Sequence, residues 1–117
     1  MKADSFLNPA AALAAFAAAA EAHAAATECG NSRLGNKAYT RIIAAVRWLK
    51  DQGHTTGLLE LLDSPSPGVR LWAASCLLRR NTPKAEAVLR HVASENGILG
   101  FIAETTLKEW RAGRLTL

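Results

Sequence analysis

The sequence predicts an all-α protein of about six helices, and three observations carry that prediction. Thirteen of the seventeen residues from Ala10 to Ala26 are alanine, the best intrinsic helix former. Four later segments repeat apolar residues at three- and four-residue spacing, the period of a helix with a buried face. Proline and glycine mark the joints between segments, and no stretch alternates apolar and polar residues long enough for a strand.

The elements follow in order. Asn8 is a natural N-cap, Pro9 suits the first helical position, and Gly30 can end the first helix in a left-handed turn. Leu13, Phe16, Ala20 and Ala24 share one face of it, with His23 at the edge as a packed or hydrogen-bonded histidine rather than a catalytic one. The loop "CGNSRLGN" leads to a second helix over 37–51, capped by Asn36, with Tyr39, Ile42, Ile43, Val46 and Leu49 as its buried stripe. "GHTTG" breaks it, and Thr56 caps a short helix, "GLLELL". Asp63 or Ser66 caps the next, which starts at Pro67 and runs to Arg80. "NTP" at 81–83 repeats the device for a helix carrying Ala85, Val88, Leu89 and Val92, ended by Asn96-Gly97. The last helix spans 98–112, with Leu99, Ala103, Thr106, Leu107 and Trp110 in register and Gly113 closing it.

At 117 residues this reads as a single domain. Residues 1–30 are an alanine-rich first helix. Residues 57–113 pair as 57–62 with 67–80 and 83–95 with 98–112, two helix-turn-helix repeat units of the kind that builds an α-solenoid. Helix 67–80 is apolar on two sides: Val69, Trp72, Ala73 and Cys76 mark one face, Leu71, Ala74 and Leu78 the other. Two apolar faces predict a helix walled in by neighbours. Arg70 lies between them and is placed to fold back on Asp63 or on a helix end, pairing with a carboxylate or satisfying free carbonyls. Trp72 and Trp110 lie on apolar stripes and are assigned to the core.

These residues carry a resemblance. "LLDSPSPGVRLWAASCLL" resembles a HEAT-type repeat, with an apolar first helix ending in Leu-Leu, Asp63 near the turn, Pro67, then Val69-Arg70 and Ala73-Ala74 in the second helix. The order of "GNSRLGNKAYTRI", "LLELLDSPSPGVRLWAASCLL", "AEAVLRHVA" and "AETTLKEWRAGRL" is similar to that in a family of short bacterial proteins of unknown function with a HEAT-like helical fold. The resemblance covers most of the chain from about residue 28 onward. It implies a HEAT-like α-α superhelix in one compact domain, and it implies no activity.

Reaction chemistry is not visible. There is no phosphate-binding glycine loop and no His-Glu-x-x-His; His23, His54 and His91 are scattered over different elements. Cys29 and Cys76 lack ligand spacing, and two cysteines are too few for a disulfide scaffold. Cys29 sits at a helix C-terminal end, where the dipole opposes thiolate formation. The expectation is a non-enzyme with no cofactor and no metal. An enzymatic site assembled between helices from His23, Glu21 or Asn36 is the least favoured alternative.

The N-terminal stretch has the lysine, apolar run and small residues of a signal peptide, but Asp4, the Asn8-Pro9 break and the weak membrane affinity of alanine argue against one. Glu21 and His23 interrupt the run, so no spanning segment is expected and the assignment is cytoplasmic, with no membrane partner.

Charge is the better clue. The net charge is +4 and the isoelectric point about 9.5. Residues 31–50 hold five basic side chains, Arg33, Lys37, Arg41, Arg47 and Lys50, and no acid. On helix 37–51, Lys37, Arg41, Ala44 and Trp48 fall opposite the buried stripe, a basic row with a tryptophan of the kind enriched at binding hot spots. Two readings of Trp48 stand: a surface anchor, or a ring packed on the alanine-rich helix. Arg79, Arg80, Lys84 and Arg90 make a second basic zone, best read as cations complementing a helix C-terminus.

The function expected is a non-catalytic protein-binding module with an unknown protein partner, Arg33, Lys37, Arg41, Arg47 and Trp48 being its candidate contact residues. One assignment within that class is an immunity-type inhibitor of a bacterial toxin, which a basic chain would suit where the toxin face is acidic. The alternative is a nucleic-acid-binding helical protein that uses the basic residues of 31–50.

Overall fold

A computed structural model describes residues 6–78, 83–95 and 97–114 of the chain. The chain is all-α. Among the described residues there are six α-helices and no strand: α1 (Pro9–Glu28), α2 (Ser32–Asp51), α3 (Leu58–Leu61), α4 (Pro67–Leu77), α5 (Pro83–Ala93) and α6 (Ile98–Arg111), with a 3₁₀ turn at Thr55–Gly57. They form two compact units, Met1–Leu58 and Leu59–Leu117.

In the first unit Asn8 caps α1 as its residue type predicts, its Oδ1 accepting from the Ala11 N–H at 2.8 Å. Gly30 (φ 71°) ends the helix: its N–H donates to the Thr27 carbonyl, and the Asn31 N–H reaches back to the Ala26 carbonyl at 2.8 Å. That pair of bonds is a Schellman motif, which only a left-handed residue permits. Asn31 then serves a second time, capping α2 through Oδ1 to the Leu34 N–H at 3.1 Å.

α2 therefore begins at Ser32, more than a turn before the expected start at Lys37, and Asn36 lies inside the helix rather than at its cap. The "CGNSRLGN" loop shrinks to three residues, so α1 and α2 form an antiparallel hairpin. Gly35 explains the discrepancy. Glycine reads as a loop residue, but here it is a buried helical position facing Ala26. The interface uses Ala12, Phe16, Ala19, Ala20 and Ala26 from α1, and Gly35, Ala38, Ile42, Ala45, Val46 and Leu49 from α2. Tyr39, expected in the buried stripe, is 45% exposed, because the true stripe is centred on Ala38, Ile42 and Ala45, one residue round the helix. Ile43, Leu13 and Ala24 are only half-buried.

α1 also corrects an expectation about membranes. Glu21 and His23 do not interrupt it enough: it is 20 residues long with a mean hydropathy of 1.3, which meets the length and composition of a spanning helix. Alanine raises that average; the large apolar side chains in α1 are Leu13 and Phe16 alone. A third of the window is buried (33%), on the face that meets α2.

α2 ends by the same Schellman device, with Gly53 (φ 72°) and the His54 N–H donating to the Leu49 carbonyl. Thr56 does not cap a helix; it sits inside the 3₁₀ turn, beside the buried Thr55. Gly57 lies against the Leu13 side chain.

In the second unit α4 and α6 both pack on α5, and α4 also touches α6. The two-faced helix is buried on both sides, as its pattern predicts: Val69, Leu71, Ala73, Ala74, Leu77 and Leu78 are all inaccessible. Trp72, Cys76 and Trp110 are half-buried at its margins and on α6. Ser66 takes the cap position of α4 with Pro67 next, but no side chain caps the helix; Ser64 Oγ instead accepts from the Ser66 N–H. The α-helix runs only to Leu77, three residues short of Arg80. Asn81 and Asn96, expected at helix boundaries, lie outside the described residues, as do Arg79 and Arg80.

Arg70 closes the turn before α4. Its Nη1 donates to the carbonyls of Ser64 (2.9 Å) and Pro65 (3.4 Å), and Nη2 lies 3.8 Å from the Glu95 carboxylate. It thus takes the carbonyls and a distant acid in place of Asp63, whose carboxylate holds Lys84 at 2.8 Å. A planar guanidinium serves several acceptors at once, which an ammonium does less well.

Two predictions follow from local geometry. A Cβ on Gly35 would sit 3.9 Å from the Ala26 Cβ, ordinary contact, so Gly35→Ala should raise stability by about 1 kcal/mol through helix propensity. A Cβ on Gly100 would strike the Glu95 carbonyl oxygen, so Gly100→Ala should lower it by about 1–3 kcal/mol despite the same propensity gain. Denaturant unfolding of the two variants checks the opposite signs. For the turn, Arg70→Met should cost about 1–3 kcal/mol and Arg70→Lys should recover only part of it, read in the same way.

Candidate functional site

The hairpin of α1 and α2 leaves a groove of about 690 Å³ along its open side. Alanine makes it. A helix carrying Ala15, Ala18, Ala22 and Ala25 along one stripe has only methyl groups to offer, and methyl groups do not fill the valley beside a neighbouring helix. From α2 the groove is walled by Leu34, Lys37, Ala38, Arg41 and Ala44. Leu34 is 54% exposed there, a large apolar side chain left in water.

Two of the five candidate contact residues, Lys37 and Arg41, stand together on the groove wall, one helical turn apart. Arg33 and Arg47 are exposed on α2 but do not line it. Trp48 is half-buried and meets Phe6 edge to face, with ring centroids 5.8 Å apart at 79°. The aromatic pair lies just beyond the stretch of α2 that walls the groove; Phe6 itself lines it.

The electrostatic contrast between the two units is sharp. In the second, each described cation has an acid: Arg70 with Glu95, Lys84 with Asp63, Arg90 and Arg111 with Glu86, Lys108 with Glu104, Arg114 with Glu109. On α2, Arg33, Lys37, Arg41, Arg47 and Lys50 are exposed, and none has an acidic partner among the described residues. The second basic zone is thus neutralised where it is described, while the first is open.

The sequence reading found the cations and missed the wall they face. Its signal was there: alanines at 15, 18, 22 and 25 keep the three-four spacing of a helical seam.

Glu21 and Asn36 are exposed, and His23 is half-buried on α1. Among the described residues no three His, Cys, Asp or Glu side chains are placed to hold a metal ion. Cys29 Sγ donates to the Ala25 carbonyl at 3.0 Å, and Cys76 is half-buried on α4.

Fold and site together define an all-α protein with an apolar groove and a cationic rim. Comparison with known proteins yields no match: no family model, curated protein or solved structure matches the chain.

His23 supplies a pH test. Burial strips water from its imidazolium and pushes its pKa below the ordinary 6.5. The unfolded chain therefore takes up this proton first as pH falls. The His23 contribution to stability is complete above pH 6.5 and is lost as pH drops from there to the lowered folded value. Thermal melts between pH 8 and pH 5 should show that decline, and His23→Gln should flatten it.

Proposed function

We propose that this chain is a non-catalytic protein-protein interaction module, cytoplasmic and of the HEAT-like helical kind, that takes hold of its partner at the α1–α2 groove. An immunity-type inhibitor of a bacterial toxin with an acidic face is one member of that class. The observation that carries the reading is the conjunction of an unfilled apolar groove with two unpaired cations on its wall. Contiguous exposed apolar surface rimmed by polar residues marks interaction sites, and arginine is enriched at binding hot spots.

The same exposed cations support a second reading, contact with nucleic-acid phosphates. Arg33, Lys37 and Arg41 follow one another at four-residue spacing along the exposed side of α2. That reading leaves Leu34 and the alanine wall without a role, so it stands second.

Salt separates them. A partner held largely by apolar burial keeps most of its affinity as salt rises, whereas a phosphate-driven complex weakens between 50 and 200 mM by about 40-fold for three phosphate contacts and about 500-fold for five. The expected outcome is a co-purifying protein that survives a high-salt wash and is lost from a Lys37→Glu/Arg41→Glu variant of unchanged helicity. A co-purifying nucleic acid released by that wash would replace the first reading with the second.

A further inference from the structure

We infer that the occupant of the α1–α2 groove is a single amphipathic α-helix of about four turns, carried by a protein partner and bearing two acidic side chains one turn apart that seat on Lys37 and Arg41. The inference rests on the protein-binding reading and specifies what binds.

Wall spacing argues for a helix. On α1 the lining residues Ala15, Ala18, Ala22, Ala25 and Cys29 step by three and four, as a coiled-coil seam does. On α2, Leu34, Lys37, Arg41 and Ala44 keep the same step, with Ala38 beside Lys37. Two seams on an antiparallel pair make a straight valley of about 21 Å, from fourteen residues at 1.5 Å each. A helix of about fourteen residues has that length and presents its own three-four stripe to both walls. An extended strand would cross the same distance in about six residues and send only every second side chain downward.

Wall size sets how close the occupant comes. Interaxial distance between packed helices is 8–10 Å and depends on the side chains at the contact. Alanine walls place a third helix at the near end of that range and leave room for its larger side chains, with exposed Leu34 as a ready apolar contact.

Charge sets its flank. Lys37 and Arg41 are separated by one turn, so a pair of Asp or Glu residues at i and i+4 on the incoming helix matches them. The acids of α1, Glu21 and Glu28, do not line the groove and leave the two cations unneutralised.

The test is selection from a displayed library of random 18-residue segments on the full chain, with Ala22→Arg as a counter-target. Ala22 is exposed in the groove, so this change fills the valley without touching the core; circular dichroism checks that both proteins are folded. The expected binders distinguish the two proteins, carry apolar residues at three-four spacing with Asp or Glu four apart, and become helical when bound. Their affinity should fall about tenfold for Lys37→Glu/Arg41→Glu and return when their acids are exchanged for lysine. Binders that discriminate but are proline-rich, alternating or basic would overturn the helix assignment and leave the protein-binding reading standing. If no segment distinguishes the native chain from Ala22→Arg, the inference and the protein-binding reading both fall, and palmitate binding to the native groove would then mark it as a site for anionic amphiphiles.

Discussion

The approach of α1 to α2 on a seam made mostly of alanine and glycine is the constraint from which the first unit follows. Ala26 meets Gly35, and Ala12, Ala19, Ala20, Ala38 and Ala45 supply the rest of the seam, with Phe16, Ile42 and Leu49 as its few large side chains. A seam this lean brings two backbones together but buries little area per residue. It depends on length: both helices run 20 residues, and Schellman turns at Gly30 and Gly53 close both C-termini. The same economy has a consequence on the opposite side. Alanines at the margin of the seam cannot fill the valley between the two rods, so a surface groove is the geometric remainder of the packing.

The second unit is built the other way. Leu, Val and Ala side chains fill its interior, α4 is inaccessible along most of its length, and Arg70 holds the preceding turn by its carbonyls. Its surface charges are internally matched. Glu86 receives Arg90 from its own helix and Arg111 from α6, and Asp63 receives Lys84 from α5. Exposed pairs of this sort contribute little stability each, but they leave this unit with no uncompensated positive field where it is described. Among the described residues, the uncompensated positive charge is displayed on α2.

That division suggests how the two halves share the work. A self-satisfied unit needs nothing from outside. A hairpin with methyl-lined walls, an exposed Leu34 and two unpaired cations offers a surface that the proposed occupant, an apolar ridge with an acidic flank, would match. The nucleic-acid alternative accounts for the cations and not for the walls, because a phosphate backbone has no apolar ridge to lay between them.

Much of this was legible in the residues. Helix existence, the glycine stops at 30, 53 and 113, the proline starts and the double-faced burial of α4 are local or periodic properties, and local chemistry sets them. The positive bias of 31–50 is equally a property of composition. Three things needed the folded chain. Gly35 and Asn36 read as loop because their intrinsic preferences are weak for helix; in the fold Gly35 packs against Ala26 inside α2, and exposed Asn36 follows it in the same helix. Tyr39 sits beside the buried stripe instead of on it, since one residue of rotation about a helix separates core from solvent and periodicity alone does not resolve that angle. The groove exists only as a relation between two helices. The alanines that wall it announce helix in the sequence, and they acquire a second role when α2 folds back and leaves their outer methyl groups facing an empty valley.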